Sequence, residues 1–121
     1  MSSTFTLVAN ITADDLAASR GPEGRIRRGL TCAGARALAR AYNAMFPDTR
    51  HYMLLGRTNA TVYDGDPLLG HRCEVVARGI PSQEFANWIG NHDVEVFDEP
   101  EHPNRVGPAR FEVNFRRPLP L

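Results

Sequence analysis

The sequence contains no lysine; its fourteen basic residues are all arginine. Lysine side chains form Schiff bases and supply amine nucleophiles, so both kinds of catalysis are excluded for this chain. Each cation is instead a planar guanidinium, which suits two-point pairing with carboxylates or phosphates and stacking on aromatic rings. Charged recognition by this protein therefore depends on the geometry of arginine.

Long apolar runs and paired cysteines are also missing. No segment approaches the roughly 20 apolar residues of a membrane-spanning helix, and the polar first residues lack the basic start of a secretory signal. The two cysteines, Cys32 and Cys73, do not form the CxxC pairs of structural zinc sites. We therefore expect a cytoplasmic protein with no membrane association and with both thiols free.

The chain has no net charge, since fourteen acidic residues balance the arginines. General nucleic-acid or membrane binders are more often strongly basic. The two signs are unevenly distributed, with arginines crowding the first half and acids the region near the end. This pattern favours a partner with its own charge pattern over a bare polyanion. The arginines are Arg20, Arg25, Arg27, Arg28, Arg36, Arg40, Arg50 and Arg57, and the acids are Asp93, Glu95, Asp98, Glu99 and Glu101.

Hydrophobic periodicity predicts one α+β domain over residues 1–121, with the element order β-α-α-β-β-β-α-β-β. Several links between strands are too short for parallel crossovers, which predicts a mainly antiparallel sheet. We expect five or six strands, with two or three helices packed on one face. The predicted strands are 5–11, 52–56, 61–63, 72–79, 93–97 and 109–116, and the predicted helices are 13–19, 32–46 and 82–90.

Local signals support several of these elements. Alternation from Phe5 to Ile11 gives the first strand one strongly apolar face, and Thr12 is the expected N-cap of the first helix. Met45 falls on the predicted buried face of the second helix, and Gly90 or Asn91 is expected to end the third. The last strand has one apolar face, formed by Phe111, Val113 and Phe115.

An arginine-rich loop is the most prominent candidate site. Arg25, Arg27 and Arg28 come shortly before Thr31, which can cap the helix that begins near Cys32. Free amides and the dipole at a helix N-terminus attract anions, and guanidinium groups reinforce that attraction. The sequence predicts an anion- or partner-binding surface formed by these residues and by two arginines of the helix. Those two are Arg36 and Arg40.

The alternative interpretation of this loop is structural, with its arginines paired to the chain's own acids. The glycine spacing from Gly24 to Gly29 matches neither a phosphate-binding loop nor a dinucleotide fingerprint.

Two features could carry chemistry. A thiol at a helix start beside arginines, as predicted for Cys32, can have a lowered pKa and raised reactivity, although a small buried thiol is the more usual case. His71 and Cys73 would point to the same side of one strand, where they could be two ligands of a metal. The four histidines, His51, His71, His92 and His102, are all distant from Cys32 in the sequence, and Ser19 and Ser82 lie at predicted helix ends. No motif completes either site, so we expect no cofactor and no metal.

Three other patterns have structural explanations. Asp64-Gly65-Asp66 lacks the rest of a calcium loop and is typical of a turn. Asp93 and Glu95 could act as an acid–base pair, but charges on an edge strand that prevent edge pairing explain them better. Phe85, Trp88 and Ile89 have the spacing of a buried helix face, with an exposed aromatic patch as the alternative.

Three hypotheses about function remain open. The first is a non-enzymatic interaction or regulatory protein that binds a protein partner. The chain is small and lacks a recognisable set of catalytic residues. Both features are common among accessory proteins of phages and mobile elements, including inhibitors of host systems. The second is an anion or nucleic-acid binding module that uses the loop from Arg25 to Arg28, and the third is a small enzyme dependent on Cys32 or on a metal. We favour the first, non-enzymatic hypothesis and keep the enzyme as an open alternative.

Overall fold

The computed structural model describes residues 4–20, 32–47, 51–65, 73–93 and 106–117. Within these ranges it has five strands and three helices, and the strands form one antiparallel sheet with the helices on one face. The predicted α+β fold is confirmed. The elements are β1 (Thr4–Ile11), α1 (Ala13–Ser19), α2 (Ala33–Met45), β2 (Tyr52–Leu55), β3 (Ala60–Tyr63), β4 (Val75–Gly79), α3 (Gln83–Asp93) and β5 (Ala109–Arg116).

The sheet has the strand order β1-β5-β4-β3-β2 and is curled. β1 and β5 pair along their whole length, from Thr4↔Arg116 to Ile11↔Ala109. The ladder between β4 and β5 is much shorter and contains only Arg78↔Arg116 and Gly79↔Phe115. Because the sheet curls, its two edge strands, β1 and β2, both lie against α2.

The inner face of the sheet forms the core with the helices. Leu7, Ala9 and Ile11 of β1 are buried there, as the alternation in the sequence predicts. Val113 and Phe115 of β5 are buried beside them, which confirms the apolar face predicted for the last strand.

The start of α1 confirms the predicted cap at Thr12. The Thr12 hydroxyl accepts a hydrogen bond from the Asp15 backbone N–H at 3.2 Å, and the Asp15 carboxylate accepts one from the Thr12 N–H at 3.0 Å. This reciprocal capping box satisfies two of the amides that a helix start leaves without partners.

α2 departs from the prediction at both ends. Its N-cap is Cys32, whose extended backbone precedes Ala33, and not Thr31. At the other end Met45 was expected on the buried face but is 47% exposed. The buried stripe lies further toward the N-terminus, where the first turn of the helix is enclosed by the core.

α3 continues to Asp93, so the predicted stop at Gly90 or Asn91 is wrong. The helix continues because Ile89 and His92, three residues apart on one face, are both buried. Packing of that face outweighs the cost of a glycine inside a helix, about 1 kcal/mol. The strand predicted over 93–97 is accordingly wrong at Asp93, and residues 94–97 lie outside the described ranges.

Candidate functional site

The predicted site at the start of α2 is described only in part. Arg25, Arg27, Arg28 and Thr31 lie outside the described residues, whereas Cys32 is buried at the helix end. Its sulfur accepts a hydrogen bond from the Ala35 N–H at 3.4 Å. The thiol therefore already occupies one of the amides that an anion at this helix end would use.

Arg36 and Arg40, the helical members of the same predicted site, both point to Asp15. Arg40 donates from its two terminal nitrogens to the two Asp15 oxygens, at 2.9 and 2.7 Å. It also donates to the carbonyl of Asn10 at 2.8 Å. Arg36 is less engaged, with its Nε 3.4 Å from an Asp15 oxygen.

The carboxylate of Asp15 is only 1% exposed, although it carries a charge. Burial by itself raises the pKa of this group, since it disfavours the charged form. The hydrogen bonds from Arg40 and from the Thr12 backbone, together with the Arg40 charge, outweigh burial and hold the pKa at about 2. The same contact raises the pKa of Arg40 above its ordinary value. Asp15 therefore stays ionised and occupies the guanidinium of Arg40.

A buried serine–histidine pair joins α1 to α3. The Ser19 hydroxyl lies 2.9 Å from His92 Nε2 and donates to the carbonyl of Leu16 at 2.9 Å. Because the Ser19 hydrogen is directed to the Leu16 carbonyl, the Ser19 oxygen is left to accept from the His92 tautomer that carries its hydrogen on Nε2. Both side chains are buried, so a substrate cannot reach the hydroxyl. The geometry is that of a structural contact, not of a nucleophile and its base.

Trp88 covers the other side of this pair. Its ring stacks on the imidazole of His92 with centroids 5.3 Å apart, and its indole N–H donates to the carbonyl of Gly107 at 3.3 Å. Arg20 donates to the adjacent carbonyl, that of Val106, at 3.2 Å. Phe85 and Ile89 of the same helix are buried, which confirms that this face of α3 belongs to the core.

The features considered for metal binding have no support in the described ranges. Cys73 is half-buried, and neither cysteine forms a disulfide. His71 lies outside those ranges, and within them no three His, Cys, Asp or Glu side chains are grouped so that they could hold a metal ion. Asp64 accepts a hydrogen bond from the Glu74 N–H at 2.8 Å, a structural role that agrees with the predicted turn.

A second group of arginines, together with two tyrosines, lies on the face of the sheet opposite the helices. We call this face the outer sheet face. Its residues alternate with the core residues along each strand. They are Thr4, Thr6, Val8 and Asn10 of β1, Tyr52 and Leu54 of β2, Thr61 and Tyr63 of β3, Val75 and Arg78 of β4, and Arg110, Glu112, Asn114 and Arg116 of β5.

Arg78 and Arg116 are directly opposite each other on this face. Directly opposed residues have Cβ atoms about 5 Å apart, and two like charges there destabilise the sheet. Both side chains are exposed, and neither has an acidic partner among the residues that the structure describes. By contrast, Arg110 Nη2 lies 3.4 Å from Oε1 of Glu112, an acid on the same strand.

Two tyrosines extend the outer sheet face toward β2. Tyr52 and Tyr63 are register partners and both are half-buried. Thr61 is opposite Arg78, and Tyr63, two residues further along β3, is opposite Val75 because the register shifts between Val62 and Tyr63. Sequence reasoning missed this surface because the pairing of Arg78 with Arg116 joins residues that are far apart in the chain.

The chain matches no known protein family, no curated protein and no solved structure. Across the described helices, none combines the length and apolar character that crossing a membrane requires.

Proposed function

We propose that this chain is a non-enzymatic binding module that contacts an acidic protein surface through its outer sheet face. The observation that carries the proposal is the opposed pair Arg78 and Arg116, two exposed guanidinium groups without an acidic partner among the described residues. A carboxylate on a partner would pair with both forks and relieve their mutual repulsion.

The composition of this face supports a protein as the partner. Arginine and tyrosine are the residue types most enriched where protein–protein contacts contribute most binding energy. Tyr52 and Tyr63 add rigid apolar area to the same sheet face, on the strands β2 and β3.

Nucleic acid is the competing ligand for such a surface, since arginines and aromatics also bind single strands. The outer sheet face also presents Glu112, which is 61% exposed and would repel phosphates. The chain as a whole has no net charge to attract a polyanion. A protein surface that is mainly acidic can also carry a basic residue opposite Glu112, whereas a nucleic acid presents only phosphates as charged groups. The mixed charges of this face therefore favour a protein partner.

The loop from Arg25 to Arg28 lies outside the described residues, so its role in binding stays a prediction. The same holds for a regulatory role as a phage or mobile-element inhibitor of a host system. An accessible nucleophile with a general base within hydrogen-bond reach would favour an enzyme. The one serine–histidine pair in the described structure is buried.

Comparative capture tests the proposal. Immobilised wild-type protein and the double variant Arg78→Gln/Arg116→Gln are exposed to a nuclease-treated lysate of the cells that encode the chain. A matched control, Arg110→Gln/Glu112→Gln, removes an internally paired arginine and acid from the same face. We expect a protein that wild type and control retain and the double variant loses, and that binds the purified wild type at least 10-fold more tightly than the double variant.

Titration with a labelled single-stranded oligonucleotide at two salt concentrations addresses the competing ligand. Capture that is equal for wild type and the double variant contradicts the proposal. So does oligonucleotide binding that needs Arg78 and Arg116 and weakens steeply with salt, because that dependence is the signature of phosphate contacts.

A further inference from the structure

A shallow pocket opens between the β2–β3 connection and α3, away from the outer sheet face. It has a volume of about 370 Å³ and is lined by Arg57, Asn87, Gly90 and Asn91. Small-molecule sites in proteins start at about 300 Å³. We propose that this pocket binds a small organic molecule through an oxyanion group, either a carboxylate or a phosphate ester.

Gly90 creates the space for the cation in this pocket. A Cβ placed on Gly90 would lie 3.2 Å from both Cζ and Nε of Arg57. The guanidinium therefore lies directly against the bare backbone of α3. Gly90 lies within the helix, and a Cβ at this position would require the end of the flexible Arg57 side chain to shift. Glycine at this position costs the helix about 1 kcal/mol relative to alanine, but it lets the Arg57 guanidinium approach the helix backbone.

The described side chains that line the pocket, Arg57, Asn87 and Asn91, each carry hydrogen-bond donors. Arg57 is exposed and forms no ion pair within the described part of the chain. Asn87 accepts a hydrogen bond on Oδ1 from Gln83 Nε2 at 2.9 Å, which leaves its Nδ2 group to donate. Asn91 lies one turn further along α3, on the same side of the helix as Asn87. A guanidinium between amide donors matches a ligand group rich in acceptors.

The position in α3 is unfavourable for any anion, so charge attraction alone does not hold a ligand there. Gly90 and Asn91 lie in the last turn of the helix, where the dipole is negative and opposes anions. Binding therefore depends on the two-point geometry of the Arg57 fork and on contacts that the body of the ligand makes with the pocket wall. An organic carboxylate or phosphate ester provides both, whereas inorganic phosphate provides only the first.

Chemical-shift titration of ¹⁵N-labelled protein tests the site, with benzoate, phenyl phosphate and inorganic phosphate as probes at constant ionic strength. We expect saturable shifts at Arg57, Asn87, Gly90 and Asn91 with benzoate or phenyl phosphate, and at least 10-fold weaker binding of inorganic phosphate. The benzoate and phenyl phosphate arms separate the two oxyanion classes.

Variants complete the test. Arg57→Gln should abolish the shifts, and Gly90→Ala, which keeps a good helix former at this position, should weaken binding at least 3-fold by displacing the guanidinium. Arg78→Gln, on the outer sheet face, should leave the titration unchanged. The proposal is overturned if neither organic probe saturates, or if Arg57→Gln binds as wild type does. Because Arg78 and Arg57 belong to different surfaces, failure here leaves the proposed partner surface unaffected, and the reverse also holds.

Discussion

Arg40 binds both carboxylate oxygens of Asp15 and so ties the first turn of α1 to the exposed side of α2. The same carboxylate caps α1 through the Thr12 N–H. One buried carboxylate thus accepts hydrogen bonds both from the backbone at the start of α1 and from the Arg40 guanidinium. Its removal affects two helices, and the removal of Arg40 leaves an almost fully buried charge without its main partner.

Arg40→Ala should lower the free energy of unfolding by on the order of 2–4 kcal/mol, because it leaves the Asp15 carboxylate buried without its strongest donor. Arg36→Gln is the matched control, since Arg36 approaches Asp15 only with its Nε, at 3.4 Å from Oδ1, whereas Arg40 donates two hydrogen bonds. The loss of Arg36 should cost less than about 1 kcal/mol. Urea unfolding curves measure both changes. Equal midpoints for the two variants would show that Arg40 contributes no more than an ordinary surface charge.

Stability should depend on pH through Asp15. Its pKa is about 2 in the folded protein, compared with the ordinary 3.8. A carboxyl whose pKa is lowered by folding contributes stability above its unfolded pKa, and that contribution is lost as pH falls toward the folded value. The contribution of Asp15, about 2 kcal/mol, should therefore be complete above about pH 5 and disappear between about pH 4 and pH 2.

Urea unfolding of wild type and Asp15→Asn at a series of pH values from 6 to 2 measures this dependence. The variant should be less stable than wild type at pH 6, and the difference should shrink as the pH falls to 2. A difference that stays constant with pH would assign the loss to packing or capping and not to the charge.

Ser19→Ala should destabilise the protein by about 1–3 kcal/mol, because the His92 Nε2–H loses its acceptor inside the core. The double variant Ser19→Ala/His92→Phe replaces both polar partners by apolar groups, so its cost should be smaller than the sum of the two single variants. Fluorescence of the single tryptophan, Trp88, follows unfolding at this site because its ring stacks on His92. Strict additivity of the two substitutions would indicate that the 2.9 Å contact contributes no coupling energy.

Gly34→Ala should destabilise the protein by about 1–2 kcal/mol, despite the better helix propensity of alanine. A Cβ on Gly34 would come within 2.6 Å of Leu55 Cδ2 and 3.2 Å of Phe85 Cζ, in the core where α2 meets β2 and α3. Adding Leu55→Val should recover part of the loss. Thermal unfolding compares these variants with Gly90→Ala, whose neighbour is the end of the flexible Arg57 side chain. A Gly34→Ala protein that melts at or above the wild-type temperature would contradict this account of the packing.

Local signals in the sequence identified the elements with clear periodicity. The alternation from Phe5 to Ile11, the cap at Thr12 and the apolar face of Phe111, Val113 and Phe115 are each properties of a few neighbouring residues, and the structure agrees with all of them. Boundaries were less secure where burial competed with a local signal. Gly90 was predicted to end α3, but the burial of His92 extends that helix to Asp93.

The candidate sites were less predictable than the elements. The sequence singled out Arg36 and Arg40 as charges near a helix start, but it could not show that Asp15, 25 residues before Arg40, occupies them. It treated Ser19 as a residue at a helix end and His92 as one of several distant histidines. Their contact spans 73 residues and exists only because the tertiary fold brings the end of α1 to the end of α3.

By itself the sequence determined the alternating and helical faces, the lack of lysine chemistry and the class of fold, because each follows from residue types and short-range spacing. The tertiary structure alone decided which charges meet. It buried Asp15 against Arg40, placed Arg78 opposite Arg116, and laid Arg57 against Gly90. Those pairings depend on strand register and on helix packing, which the whole core sets and no local segment encodes.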